Sequence, residues 1–408
     1  MGLHDRIKSG YLAFDRVLRD NPLMDLKWFV EQEVDTWEHW VGLPPRRRLW
    51  LWRHGFTSPF GKLYDFGRYG PDLYLSERQR NRLYGSLNGR HRYLLDDKLS
   101  QHWMMADYPD HRPTAYGFLD RGRVHGLSGT VFEGDPTPVR EWLPDALREH
   151  SRLVLKDLRG KGGKEVHVVT HDGTGFALDG QRITEDALCD RVEGLSGYLV
   201  SEYVEQHGYA SELYPHSPNT VRVVTLWDDR AGELSVPIVV QRIGTERSRP
   251  VDNFSSGGLS AEVDVETGEL GPAAQYPFSG EVPWYGTHPD TDAPIEGVSV
   301  PNWEAVLSTV AAIARDNTHV PLVGWDVLLN EAGEPVIIEA NTGTTLGLLQ
   351  VHRPLLADPQ FAAVAARHLP EVDGTTPAVP PSTGRRTPDR DDPDDGTTDP
   401  EPPRPGDA

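Results

Sequence analysis

Gly324-Trp325-Asp326-Val327-Leu328-Leu329 and, a few residues on, Ile337-Ile338-Glu339-Ala340-Asn341 are the two stretches whose reading decides the fold. Both are rich in β-branched and large apolar residues, and Glu331-Ala332-Gly333-Glu334 between them carries a turn signal, so they read as the arms of a hairpin. In an antiparallel pair one strand counts up as the other counts down. A turn centred between Ala332 and Gly333 therefore sets Asp326 opposite Glu339, with Cβ atoms roughly 4.5–5.5 Å apart. Asn341, two residues beyond Glu339, projects from the same face. Two opposed carboxylates repel, and a divalent cation would compensate them. Three oxygen donors of this kind suit Mg²⁺, with Mn²⁺ able to stand in for it. The plain alternative is a hairpin face whose acids are simply solvated. Histidine offers no rival metal site: His167 and His171 fall along one expected strand, which rises roughly 3.3 Å per residue and keeps their rings apart.

Upstream, Leu153-Val154-Leu155-Lys156 delivers a lysine at the end of a short apolar strand, and Gly160-Lys161-Gly162-Gly163-Lys164 follows. Glycines let backbone N–H groups approach phosphate oxygens while lysine offsets their charge. This is not a P-loop, because G-x-x-x-x-G-K-[ST] is absent. Taken alone the segment reads equally well as a surface loop. The chain holds only seven lysines, however, and three of them lie here, which favours anion binding. Glu202, Tyr203, Val204 and Glu205 end a strand at an expected hinge whose backbone is placed to meet a purine edge, or simply form a core strand. Arg222 sits on an apolar strand, where a charge must find a partner, structural or functional. Arg242 precedes a second glycine-bearing loop, Asp252-Asn253-Phe254-Ser255-Ser256-Gly257-Gly258, which reads as a substrate or phosphate cradle or as a surface turn.

Periodicity predicts strands over 152–155, 165–169, 175–178, 198–204, 220–227, 236–240, 322–329 and 335–339, and a helix over 303–315. Residues 1 to about 43 read as helical, with Pro44-Pro45 as a break. The stretch 50–95 is aromatic and basic and reads as a packing platform with a solvated basic rim. Residues 372–408 hold nine acids and four arginines among Pro, Gly and Thr, and too little apolar surface to order themselves. The expected organisation is a helical and aromatic region (1–93), a first lobe with the glycine loop (94–205), a second lobe with the metal site (206–371) and a disordered acidic tail (372–408).

The formal net charge of −21 argues against nucleic acid and anionic membranes as partners. It also obliges any polyphosphate site to supply its own cations. Arginine outnumbers lysine 34 to 7, a balance that suits a salt-rich cytoplasm or a GC-rich genome. The single cysteine, Cys189, excludes an intrachain disulfide, and no apolar leader or span of ~18 apolar residues appears. The expected compartment is the cytoplasm.

In this order the parts resemble the ATP-grasp superfamily: Asp97-Lys98, Lys156 before a glycine loop, Glu202-Tyr203-Val204, Arg222, then Asp326 with Glu339-Ala340-Asn341. The step from Asp326 to Glu339 followed by E-x-N is similar to D-alanine–D-alanine ligase-like members. Asn219-Thr220-Val221-Arg222, Asp252-Asn253-Phe254 with Gly257-Gly258, and Gly324-Trp325-Asp326 resemble most the sugar-transfer-associated ATP-grasp family, related to alpha-L-glutamate ligases. The resemblance covers about 90–370. It implies an α+β fold of two lobes with ATP held between them, preceded by a helical N-terminal region. It implies that Lys98 and Lys156 hold the ATP phosphates and that Gly160, Lys161, Gly162 and Gly163 fold over them. Glu202, Tyr203 and Val204 would meet adenine, and Glu205 the ribose. Asp326, Glu339 and Asn341 would bind Mg²⁺, and Arg222 and Arg242 would stabilise the transferred phosphoryl group. Many relatives carry arginine two residues before the metal-binding aspartate; here that position is Gly324, and Arg242 is the expected substitute. The implied activity is ligation of a carboxylate to an amine, on small-molecule or peptide substrates, through an acyl-phosphate. The alternatives are a phosphotransferase and a non-catalytic ATP-binding protein.

Overall fold

The computed structural model describes residue 33 and residues 43–160, 165–278 and 281–374. The expected N-terminal helices, residues 161–164 of the glycine loop and the tail beyond 374 lie outside the described residues.

The N-terminal helical region includes α1 (Pro45–Arg53), α2 (Glu77–Asn88) and α3 (Lys98–Met104). Pro45 sits in the first turn of α1, where its missing N–H costs nothing, so the expected break is where a helix begins. Helices run on to Met104, past the expected boundary near residue 94. Two antiparallel sheets follow. The first holds β1 (Ala115–Asp120), β2 (Arg123–Ser128), β3 (Val131–Pro138), β4 (Arg152–Asp157), β5 (Val166–His171), β6 (Phe176–Leu178), β7 (Gln181–Ile183) and β8 (Tyr198–Glu202), in the order β3-β2-β1-β8-β4-β5-β6-β7. Helices α4 (Val139–His150) and α5 (Glu185–Glu193) cover one of its faces through Leu143, Leu147, Leu188 and Val192. Lys156 and Leu199, paired across β4 and β8, point from the other face.

The second sheet holds β9 (Val221–Asp228), β10 (Glu233–Ile243), β11 (Leu259–Val263), β12 (Leu270–Gln275), β13 (Trp284–Tyr285), β14 (Leu322–Leu329) and β15 (Pro335–Asn341), in the order β13-β12-β11-β10-β9-β14-β15. Both of its faces are covered, which is why β9 and β14 read as continuous apolar runs. On one face α6 (Trp303–Asp316) packs Val306, Val310 and Ile313 against Val221, Val223, Trp325 and Val327. On the other, Val224, Leu226, Ile238 and Val240 meet Phe56, Tyr64, Phe66 and Tyr74 of the aromatic region, together with α7 (Leu346–Gln350) and α8 (Pro359–His368). The aromatic stretch is thus a packing platform. Its Tyr64 and Tyr74 rings stack 4.6 Å apart. The buried Gln350 amide donates to Tyr64 Oη and Leu75 O and accepts from Leu75 N and Leu355 N, so a polar group at the core is satisfied on both sides. No helix among the described residues is long and apolar enough to cross a membrane.

The β14–β15 hairpin reaches the expected pairing by an unexpected route. Its turn is centred on Ala332, with Asn330 N donating to Glu334 O and Gly333 at φ +79°. That centre alone would put Asp326 opposite Ile338. A one-residue bulge leaves Ile338 without a partner and restores Asp326 to Glu339 and Gly324 to Asn341.

Candidate active site

Register builds the site. Asp326 pairs with Glu339 on β15 and with Arg222 on β9, so three charged side chains form one row across three strands. Val240 opposes Arg222, and Arg242, two residues further along β10, falls on the same face. Val221 and Val223 turn the other way into the core beneath α6, which leaves Arg222 facing the cleft.

Arg222 grips Asp326 with a two-pronged contact, Nε to Oδ1 at 2.5 Å and Nη2 to Oδ2 at 2.8 Å. Arg242 Nη1 donates to Asp326 Oδ2 at 3.0 Å, and its Nη2 pairs with Asp252 Oδ1 at 2.7 Å. Asp252 Oδ2 accepts from Thr220 N and Thr220 Oγ1. Thr220, Arg222, Arg242 and Asp252, all from one stretch of the chain, are therefore one network that ends on the distant Asp326. Burial alone would push the Asp326 carboxyl up, but Arg222 and Arg242 outweigh it and hold the group below the usual carboxylate range. The repulsion expected between Asp326 and Glu339 is thus met within the chain, by arginine. Burial opposes the charge on Arg242 as well, and Asp252 with Asp326 more than restores it, so its pKa rises. One cost remains: Arg242 Nε is buried and donates to no acceptor among the described residues. Such an orphan donor costs about 1–3 kcal/mol.

At Gly324 the missing side chain leaves room that its neighbours use. A Cβ there would collide with Thr344 Oγ1 and lie 3.2 Å from Arg222 Cδ. Arg222 fills the space above Gly324 and donates to Thr344 Oγ1 at 3.4 Å, while Arg242 reaches Asp326 from β10.

Across the cleft, Lys98 opens α3 behind Asp97, whose side chain accepts from Ser100 N. Lys98 Nζ donates to Gly160 O at 2.9 Å and stands 3.5 Å from Glu339 Oε1. The Lys156 amine is pushed down to about 8, chiefly by burial; Glu339 opposes the shift and Lys98 adds to it. Four cations (Lys98, Lys156, Arg222, Arg242) so face three carboxylates (Asp252, Asp326, Glu339), a local positive excess in a strongly acidic chain. Helix α3, whose Leu99 packs on Ala115, Leu127 and Leu199 of the first sheet, is clamped to the second by Gln101: its amide donates to Ala340 O and accepts from Ala340 N on the edge strand β15. A cavity of about 30 Å³ between the sheets is lined by Lys98, Lys156, Ser201, Ile337 and Ile338. A larger open hollow of about 770 Å³, lined by Arg152, Thr170 and Tyr203, lies at the far end of the same face of β4 and β5.

A sequence profile of the sugar-transfer associated ATP-grasp family matches residues 78–358, well over half of the chain. The chain belongs to the sugar-transfer associated ATP-grasp family. All the site residues named above fall within the family span. No curated protein matches by sequence. Among solved structures the chain is similar to D-alanyl-alanine synthetase A from Vibrio cholerae (14% identity, TM-score 0.36, covering 62% of this chain and 57% of that one). It is similar also to the ATP-grasp ligase PsnB solved with a minimal precursor (13%, TM-score 0.35, 69% and 64%) and to the L-amino acid ligase from Bacillus licheniformis (11%, TM-score 0.32, 61% and 41%). The chain spans about half the length of the solved structures it matches.

The structure brings together Lys98, Lys156, Arg222, Arg242, Asp326, Glu339 and Asn341, whose Nδ2 donates to Asp326 Oδ2 at 3.3 Å. Glu202, Tyr203, Val204 and Glu205 form the crossing between sheets, continued by His207 N donating to Leu329 O. There Glu202 accepts from Thr114 N, Arg152 lies 5.3 Å over the Tyr203 ring, and the exposed Glu205 pairs with Arg152. Gly160 is described as the Lys98 acceptor; Lys161, Gly162 and Gly163 are outside the described residues. Sequence reading missed Thr344 and Gln101, which carry no local signal. It named the loop of Asp252 without its role, although a buried aspartate near two lone arginines invites that pairing.

Proposed function

We propose that the chain is an ATP-dependent carboxylate–amine ligase. The observation that carries the reading is the row Arg242/Arg222–Asp326–Glu339–Lys98, in which basic and acidic groups of the second sheet and of α3 converge beside Lys156 of the first sheet. Lys98 and Lys156 bind the phosphates, and the crossing at Glu202–Tyr203–Val204–Glu205 holds the base and ribose. A gap of about 30 Å³ holds about one water, so nucleotide entry parts the two sheets, against the Gln101 clamp.

The donor set fits a divalent cation. Glu339 is a third exposed and Asn341 Oδ1 accepts no hydrogen bond among the described residues, while Asp326, opposite Glu339, accepts from Arg222, Arg242 and Asn341 Nδ2, so an ion would take over part of that pairing. Glu339, Asn341 and Asp326 are the residues that would hold Mg²⁺, which supplies charge neutralisation at the phosphate oxygens. The acceptor carboxylate oxygen attacks the γ-phosphorus and ADP leaves. Arg222 and Arg242 stabilise the charge on the transferred group. The amine then attacks the acyl carbon, phosphate leaves, and the amine proton passes to solvent.

The test is product analysis with candidate acids and amines. ADP and phosphate that form only when acid and amine are both present support the ligase. ADP without free phosphate makes the chain a phosphotransferase, and tight ATP binding without turnover makes it a binding protein.

A further inference from the structure

Within the ligase reading, one arginine near the site has no work. Arg247 is exposed and carries no ion pair among the described residues, although the chain has three acids for every two bases. The nearest acid in sequence, Glu246, is taken by Arg249 at 3.0 Å and by Tyr214 Oη at 2.9 Å. Arg247 is nonetheless held in place. Its guanidinium lies 3.6 Å from the centre of the Phe278 ring. Its stem crosses Gly257, where a Cβ would come within 2.6 Å of Arg247 Cδ and where φ is +111°. Only glycine provides that seat.

The seat belongs to the loop that positions Arg242. Residues 252–258 close on themselves: Gly258 N donates to Asn253 O, and a Cβ at Gly258 would lie 2.7 Å from Asp252 O. Asp252 binds Arg242 at one end of this small loop, and Gly257 carries Arg247 at the other. Thr245 Oγ1 and Gln275 Nε2 both donate to Gly257 O and fix the seat. Two guanidinium groups with unused donors thus flank one rigid loop: the orphan Nε–H of Arg242, and the whole of Arg247. A guanidinium stacked on a ring and free of carboxylate is prepared for an anion.

We propose that Arg247 determines acceptor specificity, and that the acceptor is an acid with a second anionic group, of the dicarboxylate class, which Arg247 binds. The inference rests on the ligase reading for which end reacts, but the binding subsite is testable alone.

The probes are glutarate and valerate, five-carbon acids that differ by one carboxylate, titrated calorimetrically into the full chain saturated with Mg·ADP. Wild type binds glutarate at least about tenfold more tightly than valerate, the worth of one charge-assisted pair. Arg247→Gln, which keeps the stem over Gly257, removes the difference while ADP affinity is retained, and Arg247→Lys restores part of it. Equal binding of the two acids to wild type, no glutarate binding, or an unchanged preference in Arg247→Gln overturns the proposal. Hydroxylamine trapping with Mg·ATP in place of Mg·ADP runs beside it. Glutaryl hydroxamate formed with ADP supports the ligase as well. Arg247-dependent glutarate binding without any hydroxamate keeps the subsite and sinks the ligase.

Discussion

Asp326 and Glu77 are both carboxylates sealed from solvent, at 3% and 2% exposure, and the chain treats them in opposite ways. Asp326 lies on the cleft face of the second sheet, where Arg222 from the adjacent β9 and Arg242 from β10 beyond it hold it charged. Glu77 opens α2 in the aromatic platform. Burial pushes its carboxyl up to about 8; Arg80 opposes this without winning, and Thr57 N reaches Oε2 at only 3.4 Å. A carboxylate retained as an anion at depth needs cations built in register around it. One that merely plugs a core is cheaper to protonate. The contrast separates a charge kept for chemistry from a polar group kept for packing, and it tells which substitutions should harm activity, which stability, and which both.

The largest effect is expected at Asp326. Asp326→Asn leaves Arg222 and Arg242 buried with one acid, Asp252, between them, so unfolding in urea should show a loss of about 3–5 kcal/mol together with loss of turnover. A variant with wild-type stability would mean that the arginines find other partners and that the site is not an ionic keystone.

Glu339→Gln sharpens the same comparison. Glu339 is a third exposed and faces Lys98 at 3.5 Å rather than a buried arginine. Turnover should fall by 10²-fold or more, as for removal of one preorganised electrostatic group, while the melting temperature barely moves. Substantial activity in this variant would withdraw the metal assignment; a large loss of stability would make Glu339 structural.

Glu77 provides the opposite signature. Its folded-state pKa lies above its unfolded value, so its contribution is fully present below about 4.5 and is lost as pH rises through about 8. Wild type should weaken between pH 5 and 8 by up to about 1.4 kcal/mol per pH unit. Glu77→Gln, neutral throughout, should flatten that slope in urea titrations at pH 5.5 and 8.5 without changing turnover per folded molecule. A slope unchanged by the substitution would place the titrating group elsewhere.

The comparison also shows where sequence reading works. The β14–β15 register was legible because turn residues and alternation both act locally, yet the pairing depends on a bulge at Ile338 that no local rule announces. The strand ending at Lys156 and α6 were legible from apolar period. Strand β3 was not: Val131–Pro138 contains Gly134, Pro136 and Pro138 and faces solvent along most of its length, so it shows neither alternation nor propensity. Helix α3 hid in the same way, because it buries Gln101 and His102, which reach partners as distant as Ala340 and Gly129, 239 and 27 residues away. The residue types of the site were readable, but not the assignment of Arg222 and Arg242 to Asp326. A cross-strand partner is set by strand order, and β14 lies next to β9 only after the intervening chain has folded.

The smallest effect expected is also the most diagnostic of nucleotide binding. Lys156 is the cation of the site whose charge is marginal: burial lowers its amine from 10.5 to about 8, while Asp252 and Asp326, against burial, hold Arg242 charged. A phosphate binds the protonated form, so ATP affinity should be level below pH 7.5 and decline above about 8, by at most tenfold per pH unit. The loss should be shallower in practice, because bound phosphate itself raises the amine's pKa. Lys156→Arg keeps the charge at every accessible pH and should remove the decline, although its bulkier planar head should weaken binding at neutral pH. Fluorescence titration with an ATP analogue at pH 7, 8 and 9 decides the matter. A decline that survives in Lys156→Arg would assign it to Lys98 or to the nucleotide, and would place the phosphates on the Lys98–Glu339 side of the cleft rather than beneath β4.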